Sequence, residues 1–330
     1  MALLKAKTET SPQGDKDAKP KRSRHRDWSG ATMALGLGLA GLIGGRMGIL
    51  WIRFDVISQF SVQFALLAAA GALGIFAPRF KSLAAGVFFV LFIVGYGVWP
   101  LLATGGSEAA VQANEKQLRV AQFNVHGAFT NPAEIAAVIR QMNPDVMTLV
   151  ELAPPSKAML EELKAEWPYQ ATCWQEGDCE LAILSKFPLT GQHGQNAWEG
   201  PAYLQASLGP EFGGLTVMAT HTTRFPFARA QFHQVLALAK ALETEQGPLL
   251  VMGDFNATPF SRVTQVFAET AGLKRLTTMP SWPADQGLPQ IAIDHIFVSP
   301  GLRPLTGEHI GLAGGSDHFP ISMSLAVAAK

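Results

Sequence analysis

Apolar and polar positions divide this chain of 330 residues near residue 104. Before that point the apolar positions run on without a period. Ala31 to Trp51 is interrupted by charge only at Arg46, and Val56 to Ala77 and Leu83 to Ala103 carry none. Each stretch approaches the roughly 20 residues that cross a bilayer, so about three transmembrane helices are expected over 30–103. Glycines such as Gly41 and Gly45 suit close packing of the first helix on a neighbour. From Leu118 short period-two runs alternate with longer runs of helical period. Leu118–Asn124, Val146–Val150, Leu181–Leu184, Tyr203–Leu208, Leu215–Thr220, Leu249–Met252, Ala292–Val298 and Ile321–Ala326 read as strands. Pro132–Met142, Ser156–Glu166 and Phe227–Glu243 read as amphipathic helices. This is an α/β pattern, with no visible internal repeat.

Charge adds an orientation. Residues 1–29 hold eight Lys or Arg against four Asp or Glu and show no apolar period, which describes a disordered basic tail. Its cluster of Lys19, Lys21, Arg22, Arg24 and Arg26 abuts the first apolar stretch, and Arg79 and Lys81 lie between the second and third. Both basic flanks belong on the cytoplasmic side. Three spans then carry everything after Ala103 outward, giving a multi-pass cell-membrane protein with an extracytoplasmic domain. The apolar stretches are too many and too long for a cleaved signal peptide. Trp51 and Trp99 fall where interfacial aromatics are expected. Residues 104–116 form a linker, and 117–330 form a separate α/β domain, the candidate for catalysis. That domain carries 13 basic and 19 acidic residues, a net charge of −6, a poor match for a polyanionic duplex. Cys173 and Cys179 either pair across a turn, as an oxidising compartment allows, or remain two buried thiols.

Candidate chemistry gathers where strands end. The run Leu249–Met252 stops at Gly253-Asp254-Phe255-Asn256. Gly253 lets the backbone turn, and Asp254 and Asn256 share a side-chain direction if the chain stays extended. An Asx turn after a strand is the alternative. Asn124, Glu151 and His221 likewise follow apolar runs, and strand ends are where α/β sheets collect reactive groups.

As an ordered set, Gln122-Phe123-Asn124-Val125, Glu151, His221, Gly253-Asp254-Phe255-Asn256, Ile293-Asp294-His295 and Ser316-Asp317-His318 resemble the endonuclease/exonuclease/phosphatase superfamily. The resemblance covers about residues 117–327. It implies a DNase I-like four-layer sandwich, two packed β-sheets flanked by helices, here preceded by the N-terminal transmembrane helical region. It also implies metal-dependent hydrolysis of phosphate esters with Mg²⁺ or Mn²⁺. Glu151 is then the metal ligand, Asn124 holds phosphate and the metal surroundings, and Asp317 is a ligand or an acid behind one. Asp294 orients His318, Asp254 orients or deprotonates the attacking water, and Asn256 and His221 bond to the phosphoryl group. Either Asp254 or His318 could be the base. Arg224 binds a second phosphate or is a surface arginine. The bilayer and the acidic domain favour a lipid or lipid-linked phosphoester, with extracytoplasmic DNA or RNA as the alternative. A non-catalytic membrane-anchored binding domain is the alternative of another class. No protein partner is evident.

Overall fold

A computed structural model describes residues 29–76, 83–102, 110–173, 179–197, 199–245, 247–286 and 290–328. The basic tail, the Arg79–Lys81 loop, most of the linker and the Trp99 side chain lie outside them.

The apolar third forms α1 (Ser29–Arg46), the short α2 (Asp55–Ser58), α3 (Ser61–Phe76) and α4 (Leu83–Leu102). Among the described residues only Ser29–Ile49 is by itself long and apolar enough to cross a membrane. The second expected span is not a straight helix: Ile52–Ser58 meets Ser61–Phe76 at 60°. At the bend Asp55 and Gln59 bond to the α/β domain that follows. Met33, Leu37, Ile43, Leu66, Phe88, Leu91 and Phe92 leave an exposed apolar surface on these helices. α1 and α3 approach closely at Gly38 and Gly71, where a Cβ would run into the backbone at Ala68 and Leu35.

The rest is a four-layer α/β/β/α sandwich. The first sheet runs β11 (Arg303–Pro304), β13 (Ile321–Ala328), β1 (Glu115–Asn124), β2 (Val146–Val150), β4 (Leu181–Ser185) and β3 (Tyr169–Cys173), with β12 (His309–Ile310) also paired to β13. The second runs β5 (Leu189–Gln195), β6 (Ala202–Leu208), β7 (Thr216–His221), β8 (Leu249–Asp254), β10 (Asp294–Val298) and β9 (Lys274–Arg275). One core lies between the sheets, with Leu118, Val120, Val217, Ala219, Leu250, Met252, Ile296 and Val298 fully buried. A second lies under α5 (Pro132–Met142) and α6 (Ser156–Leu163). A third lies under α7 (Ala228–Leu242) and α8 (Arg262–Ala271).

Each sheet contains one parallel pair among antiparallel neighbours: β1 with β2, crossed by α5, and β7 with β8, crossed by α7. Parallel neighbours require such a crossover helix. The two units end their strands at the same rim, although the sequence shows no repeat. α5 starts at Asn131, whose side chain accepts from the Ala133 amide, with Pro132 in the first turn, a favoured helix start. Gly253 has another role than the expected turn. β8 continues through it to Asp254, and a Cβ there would overlap the Thr220 carbonyl of β7. Cys173 and Cys179 form a disulfide linking β3 to the segment before β4.

Candidate active site

Strand periodicity builds the site. On β1, β7, β8 and β10 the side chains that face the other sheet are apolar along most of the strand. At the rim the same face carries Asn124, His221, Asp254 and Asp294. The period of two that fills the core thus aims four polar groups into the gap between the sheets. Glu151 follows β2 directly with φ 56°, and Asn256 follows β8 with φ 47°. Left-handed backbone in non-glycine residues is uncommon and clusters at functional sites. Asn256 therefore does not extend β8. Its amide donates to Asp254 Oδ1 at 2.7 Å, so the Asx turn and the site are one structure.

Asn124 is the centre of the network. Its Nδ2 donates to Glu151 Oε1 at 2.9 Å and Asp254 Oδ2 at 3.0 Å, and lies 3.4 Å from His318 Nε2. Its Oδ1 accepts from the His126 amide at 3.1 Å. His221 Nε2 lies 3.4 Å from Glu151 Oε1, 3.8 Å from Asp254 Oδ2 and 3.2 Å from Asn256 Nδ2. Asp294 Oδ2 lies 2.8 Å from His318 Nδ1 and accepts from Ser281 Oγ at 2.6 Å.

Electrostatics separates the two candidate bases. Burial, together with Asp294 and Glu151, pushes the Asp254 carboxyl up to about 6 against the pull of His318 and His221. Burial pulls His318 the other way, but Asp294, Asp254 and Asp317 outweigh it and raise the imidazole to about 10. At neutral pH Asp254 is then an ionised acceptor and His318 a charged donor.

Two triplets bring ligand atoms within 4.8 Å of one another: Glu151, His221 and Asp254, and Asp254, Asp294 and His318. In the first, two carboxylate oxygens converge on one amide nitrogen, and Glu151 contributes to raising Asp254. A divalent cation relieves that repulsion, and hard carboxylate oxygens suit it. The donor set fits a metal.

Asp317 stands outside both triplets. Its Oδ1 lies 3.2 Å from His126 Nδ1, and its Oδ2 accepts from Trp282 Nε1 at 3.1 Å. Arg224 and Asp317 line the cleft, about 760 Å³ in volume, that also exposes Glu151, His221, Asp254, Asn256 and His318. His295 lies away from the cleft. It is fully buried, with Nε2 2.8 Å from the Ala257 carbonyl and Nδ1 3.1 Å from Thr277 Oγ1.

Several supporting residues were given no role by the sequence. Ser316 Oγ donates to the Asn124 carbonyl and accepts from the His318 amide. Gln231 of α7 donates to the Asn256 carbonyl at 2.8 Å. More unexpected are groups from the apolar third. Asp55 accepts from Ser261 Oγ and, at 2.7 Å, from the Arg262 amide at the start of α8. Gln59 Oε1 accepts from the Thr258 amide at 2.6 Å. Phe60 meets Phe225 edge to face at 6.0 Å. The bend between α2 and α3 is thereby fastened to the loop that follows Asp254.

A sandwich of this topology with carboxylates, amides and histidines at its rim defines a class of phosphate-ester hydrolases. A family model described as the endonuclease/exonuclease/phosphatase family matches residues 121–318, and the chain belongs to that family, whose members generally use a divalent metal. It is 29% identical over 164 residues to exodeoxyribonuclease III of Haemophilus influenzae, a match covering 43% of this chain and 58% of that protein. The chain thus spans little over half the length of this relative. A solved endonuclease/exonuclease/phosphatase from Beutenbergia cavernae superposes with a TM-score of 0.54 at 20% identity, covering 64% of this chain and 72% of that one. Another from Bacteroides vulgatus gives 0.52 at 17% identity, covering 64% and 99%. At these identities the structural likeness speaks for the fold.

Proposed function

We propose that this chain is a membrane-anchored, divalent-metal-dependent phosphoesterase whose favoured substrate is a lipid or lipid-linked phosphoester. The observation that carries the hydrolase reading is the convergence on Asn124 Nδ2 of Glu151, Asp254 and His318, side chains from distant parts of the chain. Glu151 would hold Mg²⁺ or Mn²⁺, and Asn124 fixes its carboxylate beside that of Asp254. When bound, the metal polarises phosphoryl oxygen and stabilises the leaving oxygen. Asp254 takes the proton of the attacking water. His318, kept charged by Asp294, donates from Nε2 to a phosphoryl oxygen. His221 and Asn256 supply further polar contacts to the phosphoryl group. Asp317, tied to His126 and Trp282, shapes the rim, and Arg224 meets a second phosphate or the head group.

Two observations support a membrane address. The bend between apolar helices docks beside the cleft. That contact requires the bend and the catalytic domain to share one side of the bilayer, in keeping with an extracytoplasmic domain and a cytoplasmic N-terminus. The Cys173–Cys179 disulfide is at home in an oxidising compartment. A nuclease is the second reading, favoured by the likeness to exodeoxyribonuclease III and disfavoured by the acidic domain.

The test uses the full chain in detergent with Mg²⁺ and bis(p-nitrophenyl) phosphate. Asp254→Ala and His318→Ala should each lose at least about 10²-fold in rate, and variants as fast as wild type would end the hydrolase reading. Plasmid DNA set against phospholipid and polyprenyl-pyrophosphate vesicles separates the substrates. Robust DNA cleavage without lipid turnover reverses the preference.

A further inference from the structure

Beside the catalytic cleft lies a second cavity of about 610 Å³, lined by Arg53, Pro226, Phe227, Ala228, Arg229, Ala230 and His233. Two features set it apart from an ordinary surface groove. Pro226 and Phe227 also line the catalytic cleft, so the two spaces share a wall. The wall facing α7 comes from the apolar third of the chain. Arg53 belongs to the short turn Ile52–Phe54, whose Ile52 packs against the core under α7 and α8. The turn is held by the bonds of Asp55 to Ser261 and Arg262.

The surroundings of this slot are apolar and exposed. Leu50 is 83% exposed, Trp51 54% and Phe227 58%. Of these, Phe227 lines the slot, and Leu50 and Trp51 precede the turn that carries Arg53; exposed large apolar side chains mark an interaction surface. Arg53 stacks over the Trp51 ring at 5.5 Å, an arrangement that suits a bilayer interface, where aromatic rings and long basic side chains sit at the head-group level. Arg229 places a further positive charge at the slot, opposite in sign to a phosphate head group.

We propose that this slot receives the hydrocarbon chain of a lipid phosphoester while its phosphate occupies the catalytic cleft. The assignment rests on the lipid-linked reading above and extends it to a binding subsite. Continuity decides the occupant. A chain leaving the cleft past Phe227 enters a slot closed on its far side by Arg53, from the turn between the first two apolar stretches. The tail then passes from membrane to slot without crossing water. Burying apolar surface against Pro226, Phe227 and Ala230 supplies the attraction.

The test uses the full chain in proteoliposomes, with lipid phosphoesters of increasing chain length and with bis(p-nitrophenyl) phosphate. Ala230→Trp fills the slot from an exposed helix position that does not line the catalytic cleft, and His233→Trp does so from one turn further along. For wild type, kcat/KM should climb with chain length, by up to roughly fourfold per methylene buried. In the variants that dependence should flatten, with at least tenfold loss on the longest chain and turnover of the soluble ester within twofold of wild type. Lipid turnover with the wild-type chain-length dependence in both variants would overturn the slot and leave the lipid reading standing. Wild type that turns over the soluble ester but no lipid would overturn both. Specific activity on lipid that falls as protein concentration rises, while that on the soluble ester stays constant, would put a second copy in the slot and overturn the assignment.

Discussion

Asp294 Oδ2 lies 2.8 Å from His318 Nδ1 in a fully buried setting, so the ring keeps its Nε2 toward Asp254 and Asn124. Removing the charge while keeping the shape tests this pair. Asp294→Asn should lower kcat by about 10²–10⁴-fold with little change in fold, measured by steady-state kinetics beside circular dichroism.

The pH profile should have two limbs. Asp254 sits at about 6 and His318 at about 10, and the proposed reaction needs the first deprotonated and the second protonated. The metal-bound rate should therefore rise through the acid limb, which the cation shifts below 6 by stabilising the carboxylate. It should fall as pH passes about 10, and in Asp294→Asn that alkaline limb should move to lower pH. A pH–rate series on both proteins reads it directly.

Metal removal should abolish turnover, and Mg²⁺ should restore it. Glu151→Gln keeps the hydrogen-bonding shape but loses a negative oxygen, so its half-saturating Mg²⁺ concentration should rise at least about tenfold. Titrating Mg²⁺ into chelator-treated protein gives both numbers.

The docking of the bend carries a stability cost when broken. Asp55→Ala strands Ser261 Oγ and the Arg262 amide in a buried place, which costs about 1–3 kcal/mol. Thermal unfolding of the detergent-solubilised chain should show a lower midpoint, with the loop after Asp254 loosened and turnover reduced.

His295 should make the fold acid-sensitive. Burial, with Arg275 nearby, lowers its pKa from 6.5 to about 3. A depressed folded pKa means that the contribution is whole above pH 6.5 and is lost as pH falls toward 3, because the unfolded chain takes up the proton first. Denaturant midpoints between pH 7 and 4 should fall less steeply in His295→Gln than in wild type.

The sequence made the site legible through strand ends. Asn124, Glu151, His221 and Asp254 each follow an apolar run, and alternation tells which face Asn124, His221 and Asp254 share, while Glu151 leaves β2 through left-handed backbone. Asp294 opens its strand instead of ending one, and only the antiparallel register of β10 on β8, with Asp294 opposite Asp254, returns it to the same rim. The α8 helix escaped notice because it is short and begins with the polar Arg262. Its start is marked by Ser261, whose Oγ accepts from the Val263 amide. The dependence of the catalytic loop on Asp55 and Gln59 was not legible at all. Asp55 precedes the apolar run Val56–Ala77 and Gln59 lies inside it, and their partners lie about 200 positions away.

The rim is also a seam. Asn124 and Glu151 come from one sheet, while His221, Asp254, Asn256 and Asp294 come from the other, and His318 precedes the strand that returns to the first. Neither sheet holds a working half. A slight sliding of one layer over the other would leave the greasy interior nearly as well filled, yet part the groups that meet at Asn124. Turnover is therefore the finest gauge of how the two layers are stacked, and should fade under mild perturbation before any spectroscopic sign of unfolding.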